Sequence, residues 1–473
     1  MNAFRRSIFI LGLLAWVVSS AFAQAPRGIT PEDYFAFEFI SDPNISPDGK
    51  LVAYVVTKID RAQNRRNSSI WMVATDGSRA PWQFTTAPQS ANSPRWSPDG
   101  KSLAFLSSRP EAAAPGAGST AVADQPRPQV YLLSMNGGEA RRITNLKNGV
   151  SLFRWSPDGT RLVIVSRVGP SDARTGDPRD RSDVRHYKHT SYKFNDTGWF
   201  DDRRTHFWIV DVKSGEAKQI TRGDDWNDSD PQWSPDGRRI AFVSNRTGHE
   251  YDENRNTDVW VINADGSGTL TKISDHEEAD NQPRWSPDGK TIAFAGEVHE
   301  RDHPQIWLAP ASGGAASTLA ANGLDLIPGQ LEWSDDAKSI YFETGVKGEL
   351  HLFRVDLPSK SVIKVTSGPR AVRSVDFDFR NGKMVYLAND FKHLDDLYIS
   401  DLDGRHERKL TNLNEALWKE LKLADVERFT YKGADEWDVD AFVVKPIDWR
   451  PGKKYPLVLS IHGGPAGQYG VDW

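Results

Sequence analysis

The chain has 473 residues, 26% charged and 38% hydrophobic, and a net charge of −5 with both signs spread along its length. That make-up suits a globular protein with room for more than one core, and it lacks the basic footprint of a nucleic-acid binder. There is no cysteine, which excludes disulfides, thiolate metal sites, a cysteine nucleophile and a lipidated N-terminal cysteine.

Residues 1–23 read as a signal peptide. Arg5 and Arg6 precede an apolar run from Ile8 to Val18, and Ala21-Phe22-Ala23 gives a small-x-small cleavage pattern with Gln24 as the mature N-terminus. An uncleaved anchor is the alternative, although so short a run barely spans a bilayer. The expected location is therefore exported, periplasmic or secreted. Residues 24–44 form a lead-in. Within it Thr30-Pro31-Glu32-Asp33 supplies an N-cap, Pro at the first helical position and an acidic first turn, predicting a short helix from Pro31 to about Phe39.

A repeat fills residues 45–413. It is centred on Ser-Pro-Asp-Gly: Ser46 to Gly49, then with a preceding tryptophan at Trp96 to Gly100, Trp155 to Gly159, Trp233 to Gly237 and Trp285 to Gly289. Two degenerate copies follow, Trp333-Ser334-Asp335-Asp336-Ala337 and Phe379-Arg380-Asn381-Gly382. The shorter intervals, about 50 residues, match one four-stranded propeller blade. Pro presets φ at the second turn position, Asp tolerates the third and Gly takes the last, so the tetrapeptide joins two strands. The apolar runs after it, such as Leu103 to Leu106 and Ile240 to Val243, suit strands covered on both faces. A third strand carries an aromatic residue (Trp71, Tyr131, Trp208, Trp260, Trp307, Phe353, Tyr398), and a fourth usually ends in an aliphatic residue plus Thr, as at Ile143-Thr144 and Leu410-Thr411. The predicted fold is all-β: a seven-bladed β-propeller of four-stranded blades, its aromatics serving as packing rather than as a ligand cage.

Two stretches interrupt the repeat. Ala112 to Pro128, rich in Ala, Gly and Pro, reads as a surface loop. A polar insertion from about Gly169 to Arg204 contains Arg185, Tyr187 and Tyr192. It reads as an extended hairpin with solvated charges, or as a segment lining a substrate cavity, in which case those three residues are the candidate contacts. His186 and His189 have a spacing a metal could use but no third ligand nearby, so no metal and no cofactor are expected. Glu277 and Glu278 precede Trp285 and read as a solvated loop.

The repeat ends after Leu413. Residues 414–425 are a charged linker. Val426 to Tyr431 and Val439 to Lys445 are predicted antiparallel strands, followed by an apolar strand, Leu457 to Ile461, that runs into His462-Gly463-Gly464-Pro465. Two glycines directly after a strand allow a sharp turn with exposed N–H groups, the chemistry of an oxyanion hole; a plain Gly-rich turn is the alternative.

Taken together, the Trp-Ser-Pro-Asp-Gly units, Tyr455-Pro456-Leu457-Val458, and His462-Gly463-Gly464-Pro465 followed by Gly467 and Tyr469-Gly470 resemble the prolyl oligopeptidase family of serine peptidases, in particular its acylaminoacyl- and dipeptidyl-peptidase branch. The resemblance implies that residues 426–473 are the first strands of a truncated α/β-hydrolase domain and that the propeller restricts access to short peptides. It also implies that Gly464 donates an oxyanion N–H, Gly463 permits the turn and His462 shapes the loop. No Gly-x-Ser-x-Gly elbow is present, so the nucleophile, acid and base of a Ser-His-Asp mechanism are expected beyond Trp473 and this chain alone is expected to be inactive. The competing expectation is a TolB-like periplasmic propeller that binds partner proteins.

Overall fold

The computed structural model describes residues 25–473 apart from 87–88, 110–125, 174–183, 185–186, 188–189, 196–197, 249–255, 300–302, 315–316, 322–323, 465–466 and 473. The signal peptide, Arg185, His186, His189 and most of the Ala/Gly/Pro-rich stretch lie outside the described residues.

The lead-in helix is shorter than predicted: a 3-10 turn over Pro31–Phe35 with a capping box between Thr30 and Asp33. It stops because Phe39 already belongs to the first strand, paired with Thr57. Asp33 takes a bidentate hydrogen bond from Arg27 at 2.6 and 2.7 Å. Arg27 in turn pairs with Leu421 in a parallel bridge (Arg27 N–H to Glu420 carbonyl 2.9 Å, Lys422 N–H to Arg27 carbonyl 2.7 Å), so the start of the described chain is tied to the region after the repeat. The linker contains a short helix, Glu415–Glu420.

The Ser-Pro-Asp-Gly segments are hydrogen-bonded corners. Gly100 N–H reaches the Ser97 carbonyl at 2.8 Å. The Ser97 hydroxyl donates to Asp99 at 2.6 Å and accepts the N–H of Ser102 at 3.0 Å, locking the first strand to the second. Ser156, Ser234, Ser286 and Ser334 repeat the pattern. The last turn position has φ +68° at Gly100, a conformation that favours glycine. Ala337 holds the same place in a degenerate copy at φ +56°.

Residues 39–83, 91–142, 152–219, 228–272 and 280–319 each build a four-stranded antiparallel sheet. Residues 331–364 and 371–409 build two antiparallel sets of four, joined by a single parallel pair, Leu350 with Ala371. The second strands are buried on both faces, as in Val52 to Val56 and Ile292 to Ala295. Aromatic residues of the third strands pair across the ladder, Phe105 with Tyr131, Phe242 with Trp260 and Tyr386 with Tyr398. The terminal Thr of the fourth strand caps the third. Thr144, Thr221, Thr366 and Thr411 accept the N–H of Val130, Phe207, Leu352 and Leu397 at 2.9–3.0 Å.

Successive sheets pack face to face through apolar clusters. Ala53, Ile70 and Met72 meet Leu103 and Phe105; Val163 and Phe207 meet Ile240 and Phe242. The circuit closes where Ile40, Val52, Tyr54 and Val73 of the first sheet meet Val385, Leu387, Leu397 and Ile399 of the last. No strand is shared across that seam. The tryptophans add a staple to each step: the indole N–H groups of Trp96, Trp155, Trp233, Trp285 and Trp333 donate at 3.0–3.2 Å to the carbonyls of Asn44, Arg95, Arg154, Gln232 and Arg284 in the preceding sheet. At the seam the first sheet has Ile45 in place of Trp, and the Asp376 carboxylate of the last sheet takes the Ile45 N–H instead, at 2.7 Å. The result is a propeller-like domain of four-stranded sheets.

Beyond the repeat, Val426–Lys432 and Asp438–Val444 form the predicted hairpin. Leu457 to Ile461 is not a strand. No segment pairs with it, and Leu457 and Val458 are 83% and 89% exposed. A strand needs a ladder partner for its backbone groups, and none is present among the described residues.

Candidate functional site

In an antiparallel four-stranded sheet the first and third turns share one edge and the second connection occupies the other. The Ser-Pro-Asp-Gly turns therefore lie on one face of the ring. The two ends of the insertion, at Gly169 and Arg203, and the turn at Lys347 and Gly348 lie on the opposite face. The C-terminal segment docks on that second face. Val471, buried, donates its N–H to the Gly348 carbonyl at 2.5 Å. A Cβ on Gly470 would stand 2.8 Å from the same oxygen, so glycine is what permits this approach. Gly348, at φ +78°, would meet the Phe442 ring at 2.9 Å if it had a Cβ.

The docked segment, Gln468 to Val471, follows the His462-Gly463-Gly464 loop in the chain. The loop is exposed. The His462 Nδ1–H donates to the Gly463 carbonyl at 2.9 Å, and the ring stands edge-on to Tyr469 with centroids 5.7 Å apart. The Tyr469 hydroxyl meets the Ser460 hydroxyl at 3.0 Å. Gly467 packs on the loop from the other side, where a Cβ would come within 2.7 Å of the Gly463 oxygen.

Of the insertion candidates, Tyr187 and Tyr192 are brought together, with ring centroids 5.1 Å apart. Both pack on Trp199, at 5.7 and 5.9 Å, and Lys193 lies over the Trp199 ring at 5.0 Å. Trp199 is a member of this cluster that the sequence reading missed. Glu277 is solvated, with a distant His299 at 3.9 Å.

A second polar centre was not anticipated. The first strands of neighbouring sheets stand side by side around the ring and so border its bore, and the residue before each tryptophan position, charged in most of the sheets, lies on them. In ring order these residues are Asn44, Arg95, Arg154, Gln232, Arg284, Glu332 and Asp376. Arg95 pairs with Asp42 of the previous sheet at 2.8 Å. Asp230 takes Arg154 at 3.1 Å and Arg284 at 3.0 Å, and Glu332 lies 3.9 Å from Arg284. Asp42 and Asp230 reach these positions because the strand bulges there, with φ +51° and +45°. Burial raises the Asp230 carboxyl, but Arg284 and Arg154 outweigh it and leave the group below the usual range. Burial pushes Glu332 up, and Asp376 up to about 6. The signal was the repeat column just ahead of each Trp, which holds mostly charged residues where a packing position would be apolar.

Ser317, His276 and Asp280 also fall in line, at 3.3 and 2.7 Å. The equivalent aspartate one sheet earlier, Asp228, holds His206 at 2.9 Å and Arg246 at 2.6 Å; the His–Asp pair is buried and Arg246 nearly so. The repetition marks the His–Asp pair as a structural tie between sheets.

Among the described residues no group of three or more His, Asp or Glu is placed to hold a metal, and no helix is long and apolar enough to cross a membrane.

The TolB β-propeller domain family matches residues 200–420. An uncharacterized peptidase, YuxL of Bacillus subtilis, is 28% identical over 465 residues, covering 93% of this chain and 67% of its own length. Dipeptidyl-peptidase 5 of Porphyromonas gingivalis is 28% identical over 486 residues, covering 98% and 67%. Among solved structures, Pyrococcus horikoshii acylaminoacyl peptidase superposes with a TM-score of 0.73 at 23% identity, over 93% of this chain and 62% of that one. The propeller of the trilobed protease from Pyrococcus furiosus, described as having an open velcro topology, gives 0.56 at 20% over 80% and 99%. The chain thus spans about two thirds of the length of these peptidases. It is a homologue of the dipeptidyl-peptidase 5 and YuxL peptidases and a structural neighbour of acylaminoacyl peptidase, consistent with the prolyl oligopeptidase family and its TolB-like propeller.

Proposed function

We propose that the chain is the propeller-bearing part of an exported serine peptidase that hydrolyses short peptides. The ring is counted as seven blades, with residues 331–364 and 371–409 as the sixth and seventh, and it limits access to the catalytic face. Residues 426–473 are read as the start of an α/β-hydrolase domain, in which Gly464 gives an N–H to the tetrahedral oxyanion, Gly463 makes the turn and His462 shapes the loop. The observation that carries this reading is the hydrogen bond from Val471 to Gly348, which ties the segment bearing a His-Gly-Gly loop to the insertion-bearing face of a propeller-like domain. Tyr187, Tyr192 and Trp199 are proposed to line the approach for peptide.

The test is hydrolysis of dipeptidyl and N-acetyl-aminoacyl p-nitroanilides, with fluorophosphonate labelling of a serine, by the full-length protein in which a catalytic domain follows these 473 residues; the 473 residues alone are expected to give neither. Turnover with labelling supports the reading; neither, from folded full-length protein, overturns it. The match to the TolB propeller family favours a second reading, a module that docks a partner protein, which predicts no hydrolysis.

A further inference from the structure

We propose that the charged bore of the propeller is a recognition site for short peptides with both termini free, taking the α-carboxylate on its Arg95–Arg154 wall and the α-ammonium on its Glu332–Asp376 wall. The proposal rests on the peptidase reading for the choice of a peptide as ligand and names the form of peptide that the bore accepts.

The ring order of the sheets carries the argument. Arg95 and Arg154 stand on adjacent sheets, the second and third. Glu332 and Asp376 stand on the sixth and seventh, across the axis from Arg154. The bore thus carries Arg95 and Arg154 on one side and Glu332 and Asp376 on the other, with Asp230 and Arg284 between them paired to each other. Its charges are also incompletely satisfied. Asp376 accepts hydrogen bonds from Ile45 N–H at 2.7 Å and Asn44 at 3.0 Å, but among the described residues no Lys or Arg makes an ion pair with it. Among the described residues Glu332 has only the long 3.9 Å approach of Arg284, whose better contact goes to Asp230. On the opposite wall the buried Arg154 Nε–H has no acceptor among the described residues.

A half-buried carboxylate without a close cation, and a guanidinium N–H without an acceptor, each leave a charge-assisted hydrogen bond for a ligand to make. An ammonium at Glu332 and Asp376 makes the first, and a carboxylate at Arg154 makes the second. Water reaches the site, since the Glu332 side chain is 43% exposed, whereas Arg284, at 10%, is fixed in the wall. A peptide acetylated at one end and amidated at the other offers neither charge. It would leave both walls desolvated and unmatched.

The experiment is calorimetric titration of the intact protein with trialanine, N-acetyl-trialanine, trialanine amide and the doubly blocked peptide. Trialanine is expected to bind at least about tenfold more tightly than the doubly blocked form, a difference of about 1.4 kcal/mol, with the singly blocked peptides between. Glu332→Gln, near-isosteric and half-exposed, should remove most of the penalty for N-acetylation and leave the penalty for amidation. Arg154→Met should do the reverse. Equal binding of all four peptides overturns the proposal. So does no binding of trialanine up to about 10 mM, the weak end of measurable affinity, by protein whose circular dichroism is native. Because binding is read directly, absence of hydrolysis would sink the peptidase reading without touching this result, and loss of discrimination in an active peptidase would sink only the bore.

Discussion

At the scale of single residues, the turn serines do more than punctuate. Ser156 is fully buried, donates to Asp158 at 2.6 Å and accepts the Arg161 N–H at 3.0 Å. Ser156→Ala leaves that N–H unsatisfied and should cost roughly 1–3 kcal/mol in denaturant unfolding. The Ser156 hydroxyl is also the first cause of the low Asp158 carboxyl. Asp158 therefore contributes stability above the unfolded value near 4, and this is lost as pH falls below it. Asp376 behaves in the opposite way. Burial raises it to about 6, against lowering by the Ile45 N–H and Arg95 and with help from Glu332 and Asp42. Between about pH 4 and 6 the native state binds the extra proton, so this group makes stability fall as pH rises through that window. Unfolding free energies measured from pH 4 to 7 should show this falling component in the wild type and lack it in Asp376→Asn. The serine corners were legible because Ser, Pro, Asp and Gly each have one conformational reason to be there. The bulge residues were not: Asp42, Ser93, Asp230, Gln282 and Ser374 share a positive φ but no chemistry.

At the scale of strands and sheets, the alternation of turns and apolar runs was enough to place the first and second strands. The aliphatic-Thr ending of the fourth strand was visible as a pattern, but its reason was not. The hydroxyl crosses to the third strand and accepts an N–H that the short fourth strand leaves unpaired. Thr411 shows this fully, accepting from Leu397 N–H at 2.9 Å and donating to Asp396 at 2.6 Å. Thr411→Val keeps the shape and removes both bonds; a loss of roughly 1–3 kcal/mol is expected by chemical denaturation. The tryptophans were correctly read as packing. Their indole N–H staples point to carbonyls 49 to 79 residues away in the preceding repeat, a relation no local pattern contains. The expected strand at Leu457 to Ile461 failed for the same kind of reason. Its apolar residues fit a ladder, but the partner strands are not among those described.

At the scale of the whole molecule, order is uneven. The sheets share buried clusters around the ring, whereas residues 445–464 have no ladder and expose several large apolar side chains. Thermolysin should cut between Lys445 and His462 before it cuts any sheet, leaving a stable core that mass spectrometry can assign; protection of that segment equal to the sheets would contradict this. The charged bore was illegible for a related reason. Each of its residues looks like an ordinary surface charge until the ring brings the repeats together.

The seam between the first and last sheets has a mechanical consequence. It is sealed by side chains and by Asp376 on Ile45, and the Arg27–Leu421 bridge lies close in sequence to the strands that flank it. Tension applied at the two ends loads that bridge first, then the seam, while the ladders inside each sheet remain in reserve. The molecule should yield as a split ring, springing open at one joint with its segments intact, and reclose when the load is released.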